Sequence, residues 1–333
     1  MQSRGIYTLA NDRVYDQLIA LLNSIEANVD SDVPVLVIPF DQHIERIVQE
    51  INFRPNVKLF QNWYSIQRWE KFAQQVWAVH PIAQSKWFTA LPTKNIGLHR
   101  KFVTFDGPFD QFVFYDADSL AMKPLDDIFE KLNTYDFVFN DWEHQKPVGK
   151  TALDLTLVSQ TGYSDEIEVR TKLHCSSFFG SKREIFAEKE LFVLQQRLIE
   201  QREINWIPRW WDDAFLFNYL TLRSDRPQFN FTLSSDVQER TGNCADADPF
   251  VNINNVLYNE QGLKPIHRLH YMNYSSEDFA RLSRGEDANI RYKEIFLHYR
   301  FLKQPAQKPK HLKSPNFSSQ AVRYLRRIAD KLS

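Results

Sequence analysis

The chain has 333 residues, 43% of them hydrophobic, which is enough to bury the core of one large α/β domain or two modest ones. Its 41 Lys and Arg residues nearly balance its 42 Asp and Glu residues, which argues against a general nucleic-acid-binding protein. Two cysteines argue against a disulfide framework. Because we find neither a charged-then-apolar leader nor an apolar run of about 20 residues, we expect a cytoplasmic protein.

Strands and helices alternate from the first residues onward. Short apolar runs at 6–9, 33–38 and 57–60 predict strands, and segments with helical apolar spacing follow at 14–25 and 43–51. This alternation is typical of a mainly parallel sheet flanked by helices. Further along, the pattern predicts helices at 65–79, 94–104, 183–202 and 290–302, with shorter ones from 124, near 212 and from 276, and strands at 112–115, 137–139, 178–179, 229–233 and 266–271.

The strand at 112–115 ends in two carboxylates, Asp116 and Asp118. A short apolar run bounded by polar residues predicts a strand buried on both faces, and open α/β sheets bind ligands at the carboxyl ends of such strands. Where the strand gives way to a loop, both carboxylates can turn onto one divalent ion, and their hard oxygens favour Mg²⁺ or Mn²⁺. The sequence therefore predicts a metal–diphosphate site.

The spacing of this acidic pair is not specific by itself. Asp30 and Asp32, and again Asp246 and Asp248, repeat it, although neither pair follows an apolar strand-like run. The alternative for the strand-end pair is an acidic turn that caps the helix after Pro124.

Polar and aromatic residues surround the end of the first strand. Thr8, Asn11 and Tyr15 stand where a doubly wound sheet presents polar groups and one ring to a nucleotide base and ribose. A helix cap formed by Asn11 or Asp12 is compatible with that role.

Two other charged segments suit the reacting end of a sugar donor. Arg100 and Lys101 are either cations for a departing diphosphate or exposed helix charges. In the segment 210–213, two tryptophans that can stack on a sugar precede Asp212 and Asp213, which can orient hydroxyls or stabilise positive charge on the ring. The alternative for Asp212 is a helix N-cap.

Two histidines, His267 and His270, belong to the late strand at 266–271. A lone histidine is usually a surface or satisfied core residue, but two near a strand end make one of them a candidate metal ligand.

We expect a main domain over 1–275, helices over 276–302 that pack on it, and a basic tail over 303–333. Residues 141–172 are polar and aperiodic, which predicts an insertion or lid at the active site. The tail carries eight Lys and Arg residues and one acid, so its net charge is eight minus one, +7. Residues 319–332 predict an amphipathic helix that either contacts an anionic inner membrane face or is solvated or docked on a partner.

Together these motifs resemble the glycogenin-type glycosyltransferases, known as family 8, and the wider GT-A fold of nucleotide-sugar transferases. The resemblance rests on the runs HRKFVTF (99–105), FVFYDADSL (112–120), LDDIF (125–129) and TLAND (8–12), the Asp-x-x-x-x-Asn spacing from 213 to 218, and the histidine strand 267–273. It implies a GT-A type, Rossmann-like mixed sheet, mainly parallel and flanked by helices, with a C-terminal helical extension.

The resemblance also implies roles for the acidic pair and the histidines. Asp116 and Asp118 would hold a divalent metal together with one histidine. We favour His270, because the family has a glycine three residues later and Asn273 is the next-best residue for a left-handed turn. His267 also fits, with His270 itself in the glycine position.

On the donor side, the resemblance implies that Thr8, Asn11 and Tyr15 line a uridine pocket and that Asp213 lies near the anomeric carbon. The Lys-Pro-Trp of the family is missing, and Ala214 stands where a Gln usually follows the helical Asp. A neighbouring family with its own donor is therefore also compatible with the sequence.

We predict a metal-dependent hexosyltransferase that uses Mn²⁺ or Mg²⁺, a nucleotide diphosphate sugar, expected to be a UDP-sugar, and an unknown acceptor. Two alternatives remain. A strand that ends in Asp-x-Asp-Ser also resembles the nucleophile motif of haloacid-dehalogenase-like phosphatases, in which Asp116 would attack phosphorus. A catalytically silent sugar- or membrane-binding protein of the same fold is the other.

Overall fold

The computed structural model describes residues 2–85, 96–210 and 212–314. Its main sheet has seven strands in the order β3-β2-β1-β4-β7-β6-β8. These are β1 (Arg4–Ala10), β2 (Val35–Pro39), β3 (Val57–Leu59), β4 (Gln111–Asp116), β6 (Phe137–Phe139), β7 (Phe178–Lys182) and β8 (Gln228–Asn230). Strand β7 is antiparallel to β4 and β6, and the other pairs are parallel. The mixed, mainly parallel sheet is as predicted.

Helices flank this sheet and continue beyond it, as the alternating pattern predicts. In chain order they are α1 (Tyr15–Asn28), α2 (Glu45–Ile51), α3 (Trp63–Ala78), α4 (Pro81–Gln84), α5 (Asp126–Lys131), α6 (Leu155–Gln160), α7 (Glu166–Thr171), α8 (Glu188–Ile199), α9 (Asp213–Arg223), α10 (Ser276–Ser283) and α11 (Lys293–Arg300). None of the helices in the described part of the chain has the length and apolar character that crossing a bilayer requires.

Strand β4 is buried on both faces, as its sequence predicts. Phe112 and Phe114 point into an aromatic core, and Val113 and Tyr115 point into an aliphatic core on the opposite face, where the first helix packs. All four side chains are fully buried. Because side chains alternate along a strand, a strand between two cores needs an apolar residue at every position, and the first polar side chain marks the edge of the sheet.

A separate pair of short strands continues from the end of β4. Strand β5 (Ser119–Ala121) pairs antiparallel with β12 (Arg268–His270), with His270 opposite Ser119. A third core forms on this pair and includes apolar residues of α10 and α11. Helix α11 is tied to α1, since Asn23 Nδ2 donates to the Tyr299 carbonyl at 2.7 Å. The predicted domain boundaries stay a prediction.

Several predicted elements differ in type or length. The segment 97–106 is a 3₁₀ helix and not an α-helix. Its first residue, Gly97, has no room for a side chain, because a Cβ there would lie 2.7 Å from the Phe40 carbonyl oxygen. Helix α8 is shorter than the predicted 183–202, because Glu184 and Arg202 adopt left-handed conformations that an α-helix cannot contain. Strand β8 stops at Asn230, whose side chain accepts a hydrogen bond from Thr232 N.

The Asn- and Asp-rich segment between 233 and 266 contains a hairpin that the sequence analysis missed. Strands β9 (Phe250–Ile253) and β10 (Val256–Asn259) pair antiparallel, and β11 (Lys264–Pro265) adds to β10. Asn254 and Asn255 both have positive φ at the turn, which two-residue hairpins favour and asparagine tolerates.

Two predicted segments remain, the polar segment 141–172 and the basic tail 303–333, of which the structure describes residues 303–314. Residues 141–172 contain α6 and α7, whose Leu155, Val158 and Val169 are buried in the aromatic core, while their role as insertion or lid stays a prediction. In the basic tail, the backbone of Lys313 forms an isolated parallel β-bridge with Glu286. The predicted tail helix at 319–332 lies outside the described residues.

Candidate active site and metal centre

The backbone of two strand pairs brings an acidic pair and a histidine together. Asp116 is the last residue of β4, and Asp118 immediately precedes β5. The antiparallel partner of β5 places His270 opposite Ser119, and Tyr271 N donates to the Asp118 carbonyl at 3.0 Å. One ligand atom from each of the three side chains lies within 4.8 Å of the other two.

This donor set fits a divalent cation. Two carboxylate oxygens and one imidazole nitrogen suit Mn²⁺ well and are compatible with Mg²⁺. Asp118 Oδ1 is buried and makes no regular hydrogen bond with the described residues; it lies 3.5 Å from His270 Nε2. Burial acts to raise the pKa of Asp118, but His270 and Arg268 outweigh it, so this pKa lies below its usual range. The carboxylate is therefore ionised and available as a ligand.

His267 is directed elsewhere. Its Nε2 lies 2.9 Å from Asp127 Oδ2, and its Nδ1 lies 2.6 Å from Asn140 Nδ2. Burial acts to raise the pKa of Asp127, but His267 and Lys123 hold this pKa well below its usual range. The structure therefore brings His270, and not His267, to the acidic pair.

Lys101 joins the acidic pair to the start of α9. Its ammonium lies 2.9 Å from Asp213 Oδ2 and 3.2 Å from Asp116 Oδ1, and its side chain is only 1% exposed. Burial acts to lower the pKa of Lys101, but Asp116 and Asp213 together raise this pKa above its usual value. Lys101 is thus a permanently charged bridge between the two carboxylates, and the alternative of an exposed helix charge is wrong for this residue.

Asp212 and Asp213 begin helix α9 with different surroundings. Asp212 is the N-cap, and its Oδ1 accepts from Ala214 N at 2.9 Å, as the alternative role predicted. Burial, and then the charges of Asp213 and Asp116, raise the pKa of Asp212 to about 6. Asp213 is buried against Lys101. The preceding Trp210 packs in the core, and Trp211 lies outside the described residues.

Arg100 has a different environment from its neighbour Lys101. Its Nε donates to Glu70 at 2.6 Å, and its Nη1 donates to the Pro39 carbonyl at 2.7 Å. The side chain is 14% exposed. Arg100 is thereby fixed at the end of β2, where it ties the 3₁₀ helix to helix α3.

The three residues predicted for the nucleotide do not form one cluster through their side-chain contacts. Thr8 is fully buried within β1. Asn11 accepts from Arg13 N and donates to Asp41 Oδ2 at 2.8 Å, which joins the loops after β1 and β2. The Tyr15 hydroxyl donates to Glu50 at 3.2 Å.

Polar residues that the sequence patterns did not single out contact His270 and Lys101. Ser177 immediately precedes β7, and its Oγ lies 2.9 Å from Arg268 Nη1 and 3.5 Å from His270 Nδ1. Ser176 contacts the Lys101 ammonium through its carbonyl oxygen at 3.3 Å. Because β7 is antiparallel to β4, its start lies beside the end of β4; the polar residues before Phe178 were the available signal.

Solved glycosyltransferase structures share this fold. The apo structure of the bifunctional glycosyltransferase WbbM matches 92% of this chain and 52% of its own, with a TM-score of 0.51 and 12% identity. An active-site mutant of LgtC matches over 89% and 94% of the two chains (TM-score 0.51, 11% identity), and GlyE of Streptococcus pneumoniae TIGR4 over 91% and 62% (TM-score 0.50, 12% identity).

This chain thus spans about half of the WbbM chain. No protein-family model and no curated protein sequence matches it. The structural matches show that the chain has the GT-A glycosyltransferase fold, as the motifs predicted.

Proposed function

We propose that the chain is a metal-dependent glycosyltransferase that moves a hexosyl unit from a UDP-sugar to an acceptor. The GT-A fold supports glycosyl transfer as the class of reaction. One observation carries the proposal: the Asp116, Asp118 and His270 ligand set and the Lys101–Asp213 ion pair meet at the carboxyl end of β4. Open α/β sheets bind ligands at this edge.

In this proposal Asp116, Asp118 and His270 hold Mn²⁺ or Mg²⁺. The bound cation would neutralise the diphosphate that leaves the sugar, which suits a reaction whose barrier lies in charge separation. His267 is assigned to the Asp127 ion pair instead, because its two ring nitrogens are already engaged there and by Asn140.

Asp213 is assigned to the side of the anomeric carbon, where its negative charge would stabilise positive charge that develops on the sugar ring. Lys101 holds this carboxylate in place through the 2.9 Å ion pair. Asp212 caps the helix that carries Asp213, so it fixes the backbone at that point, and its free oxygen is assigned to a sugar hydroxyl.

At the nucleotide end we assign the base and ribose to Asn11 and Tyr15, which follow β1, whereas Thr8 is fully buried within that strand and is not assigned to the donor. The backbone of β1 at Thr8 pairs with Tyr115, one residue before the acidic end of β4. Asn11 and Asp41 present amide and carboxylate groups at the ends of adjacent strands. Arg100 is assigned to support the donor cleft through Pro39, rather than to bind the diphosphate directly.

A thermal-shift panel of nucleotide sugars tests the proposal. UDP-sugars should stabilise the protein in Mn²⁺ and not in EDTA, and a ligand present at 100 times its Kd stabilises by about 2.7 kcal/mol. Asp118→Asn should abolish the Mn²⁺-dependent part of the shift. Equal shifts with and without Mn²⁺, or none with any UDP-sugar, would contradict the proposal.

A catalytically silent protein of the same fold is the second candidate, because Asp213 is buried and its Oδ2 forms an ion pair with Lys101 at 2.9 Å. Measuring hydrolysis or transfer of a UDP-sugar that stabilises the protein decides between the two. Binding without turnover, unchanged by Asp213→Asn, would support the silent protein. A phosphatase of the haloacid-dehalogenase type would instead trap beryllofluoride at Asp116, which we do not expect from a GT-A fold.

A further inference from the structure

A hydroxyl group lies between a buried arginine and the histidine of the metal site. Ser177 Oγ is 2.9 Å from Arg268 Nη1, 3.0 Å from Cys175 Sγ and 3.5 Å from His270 Nδ1. On its other side, the imidazole presents Nε2 to Asp118 Oδ1 at 3.5 Å. The serine therefore contacts the ring nitrogen that does not face the acidic pair.

Arg268 is held rigidly on this side of the site. It is 1% exposed, and its backbone pairs with Ala121 across the β5–β12 pair. Its guanidinium carbon lies 4.9 Å from the centre of the Phe178 ring, beside the start of β7. An arginine has only donors, so its bond to Ser177 occupies one lone pair of the hydroxyl oxygen.

The serine then has one hydrogen and one lone pair for its other two neighbours. If it donates to Cys175 Sγ, its remaining lone pair accepts a hydrogen bond from His270 Nδ1–H. The Nδ1–H tautomer leaves the Nε2 lone pair free on the side of Asp118. If the serine instead donates to Nδ1, a neutral imidazole must carry its proton on Nε2, which blocks metal binding there.

We propose that Ser177, fixed by Arg268, is a positioning residue that holds His270 as the Nδ1–H tautomer and thereby sets the affinity of the site for a divalent cation. The inference rests on the metal site of the proposed function. In metal sites, the second ring nitrogen of a histidine ligand is generally oriented by a hydrogen-bond partner outside the ligand set. Loss of that partner lowers the metal affinity by roughly 10- to 100-fold.

The first test measures Mn²⁺ binding to the full chain, with the free ion detected by electron paramagnetic resonance. Ser177→Ala should weaken binding by about 10- to 100-fold. Ser181→Ala is the matched control, because it also removes a serine hydroxyl from this part of the chain. Among the described residues, that hydroxyl bonds only to the Asp136 carbonyl. Its Mn²⁺ affinity should match that of the wild type.

A second pair of variants separates the hydroxyl from packing. Ser177→Thr and Ser177→Val add the same bulk, but only threonine keeps the hydroxyl. The threonine variant should bind Mn²⁺ at least about 10-fold more tightly than the valine variant. Equal affinities in this pair would overturn the inference, even if Ser177→Ala does not fold.

The tautomer itself is read in long-range ¹H–¹⁵N spectra of metal-free protein, with His270→Gln used to assign the signals. The wild type should show the proton on Nδ1, and Ser177→Ala should shift it toward Nε2. An unchanged tautomer, or unchanged Mn²⁺ affinity, contradicts the role of Ser177 while leaving the metal site intact. Wild-type protein that does not bind Mn²⁺, or binds it equally after His270→Ala, overturns both this inference and the proposed metal site.

Discussion

The proposed metal end and the proposed nucleotide end of the candidate site are built in different ways. At the metal end, backbone pairing places the side chains: Asp116 ends β4, and the register of β5 with β12 sets His270 opposite Ser119. At the nucleotide end, Asn11 and Tyr15 lie where the first helical segments begin, and their side chains bond to nearby loop and helix residues. Strand register fixes which side chains meet, whereas residues at helix starts can satisfy themselves locally.

The adjacent cations Lys101 and Arg100 give the sharpest contrast within one segment. Lys101→Met leaves Asp213 buried without its partner, and breaking such a buried pair costs about 3–5 kcal/mol of unfolding free energy. Arg100→Met removes a half-buried pair with Glu70 and a hydrogen bond to the Pro39 carbonyl, and should cost about 1–2 kcal/mol. Urea unfolding of both variants measures the difference. Equal losses would show that Lys101 is not the central ion of the site.

Asp213 and Asp212 provide the next contrast, now in activity. Asp213→Asn removes the negative charge assigned to the sugar ring and should lower kcat by about 10²- to 10³-fold. Asp212→Asn keeps a good N-cap and should lower kcat by less than about 10-fold. Transfer or hydrolysis of the preferred UDP-sugar provides the measurement. The reverse order of effects would exchange the roles of the two carboxylates.

Asp141 tests the electrostatics of the sheet edge beside β7. Burial, and then the charge of Glu143, raise the pKa of this carboxyl to about 7, while Cys175 N donates to it at 2.9 Å. Because the folded protein holds a proton that the unfolded chain releases near pH 4, the contribution of Asp141 to stability falls as the pH rises toward 7. Asp141→Asn lacks this titration.

The cost of Asp141→Asn in unfolding free energy should therefore shrink by roughly 2 kcal/mol between pH 5 and pH 8. Urea unfolding of both proteins at the two pH values checks this, with the comparison made at each pH so that other titrating groups cancel. A cost that stays constant, or grows, with pH would mean that Asp141 is ionised in the folded protein at pH 5.

The smallest effects are expected at the nucleotide end. Tyr15→Phe loses the bond to Glu50 but keeps the ring, so KM for the donor should stay within about twofold of the wild type. Tyr15→Ala removes the ring and should raise this KM by about 10-fold if the ring contacts the base. Identical KM values for the two variants would remove Tyr15 from the donor pocket.

Regular patterns in the sequence predicted the mixed sheet, the buried β4 and the position of the acidic pair. A strand buried on both faces leaves a readable signal, a continuous apolar run, and Asp116 follows that run directly. Only the family resemblance favoured His270 over His267, because the choice depends on strand register and on a long-range bond to Asp127, which the residues alone do not show. The role of Arg268 could not be predicted either, because its partner Ser177 is 91 residues away in the chain.

Two local backbone features, the conformation of Glu184 and the hairpin at 250–259, could not be predicted from the sequence either. Glu184 carries no sequence signal for its left-handed backbone, so the helix after it was predicted to begin too early. The hairpin at 250–259 was missed, because Leu257 is the one fully buried residue of its two strands and these strands lack an alternating apolar pattern.

The most direct test of the central claim is a crystal structure with Mn²⁺ and UDP, with data collected at the manganese absorption edge. We predict an anomalous peak within about 2.5 Å of a carboxylate oxygen of both Asp116 and Asp118 and of His270 Nε2, with the diphosphate on its open side. A peak elsewhere, or UDP bound away from the end of β4, would contradict the assignment of this site.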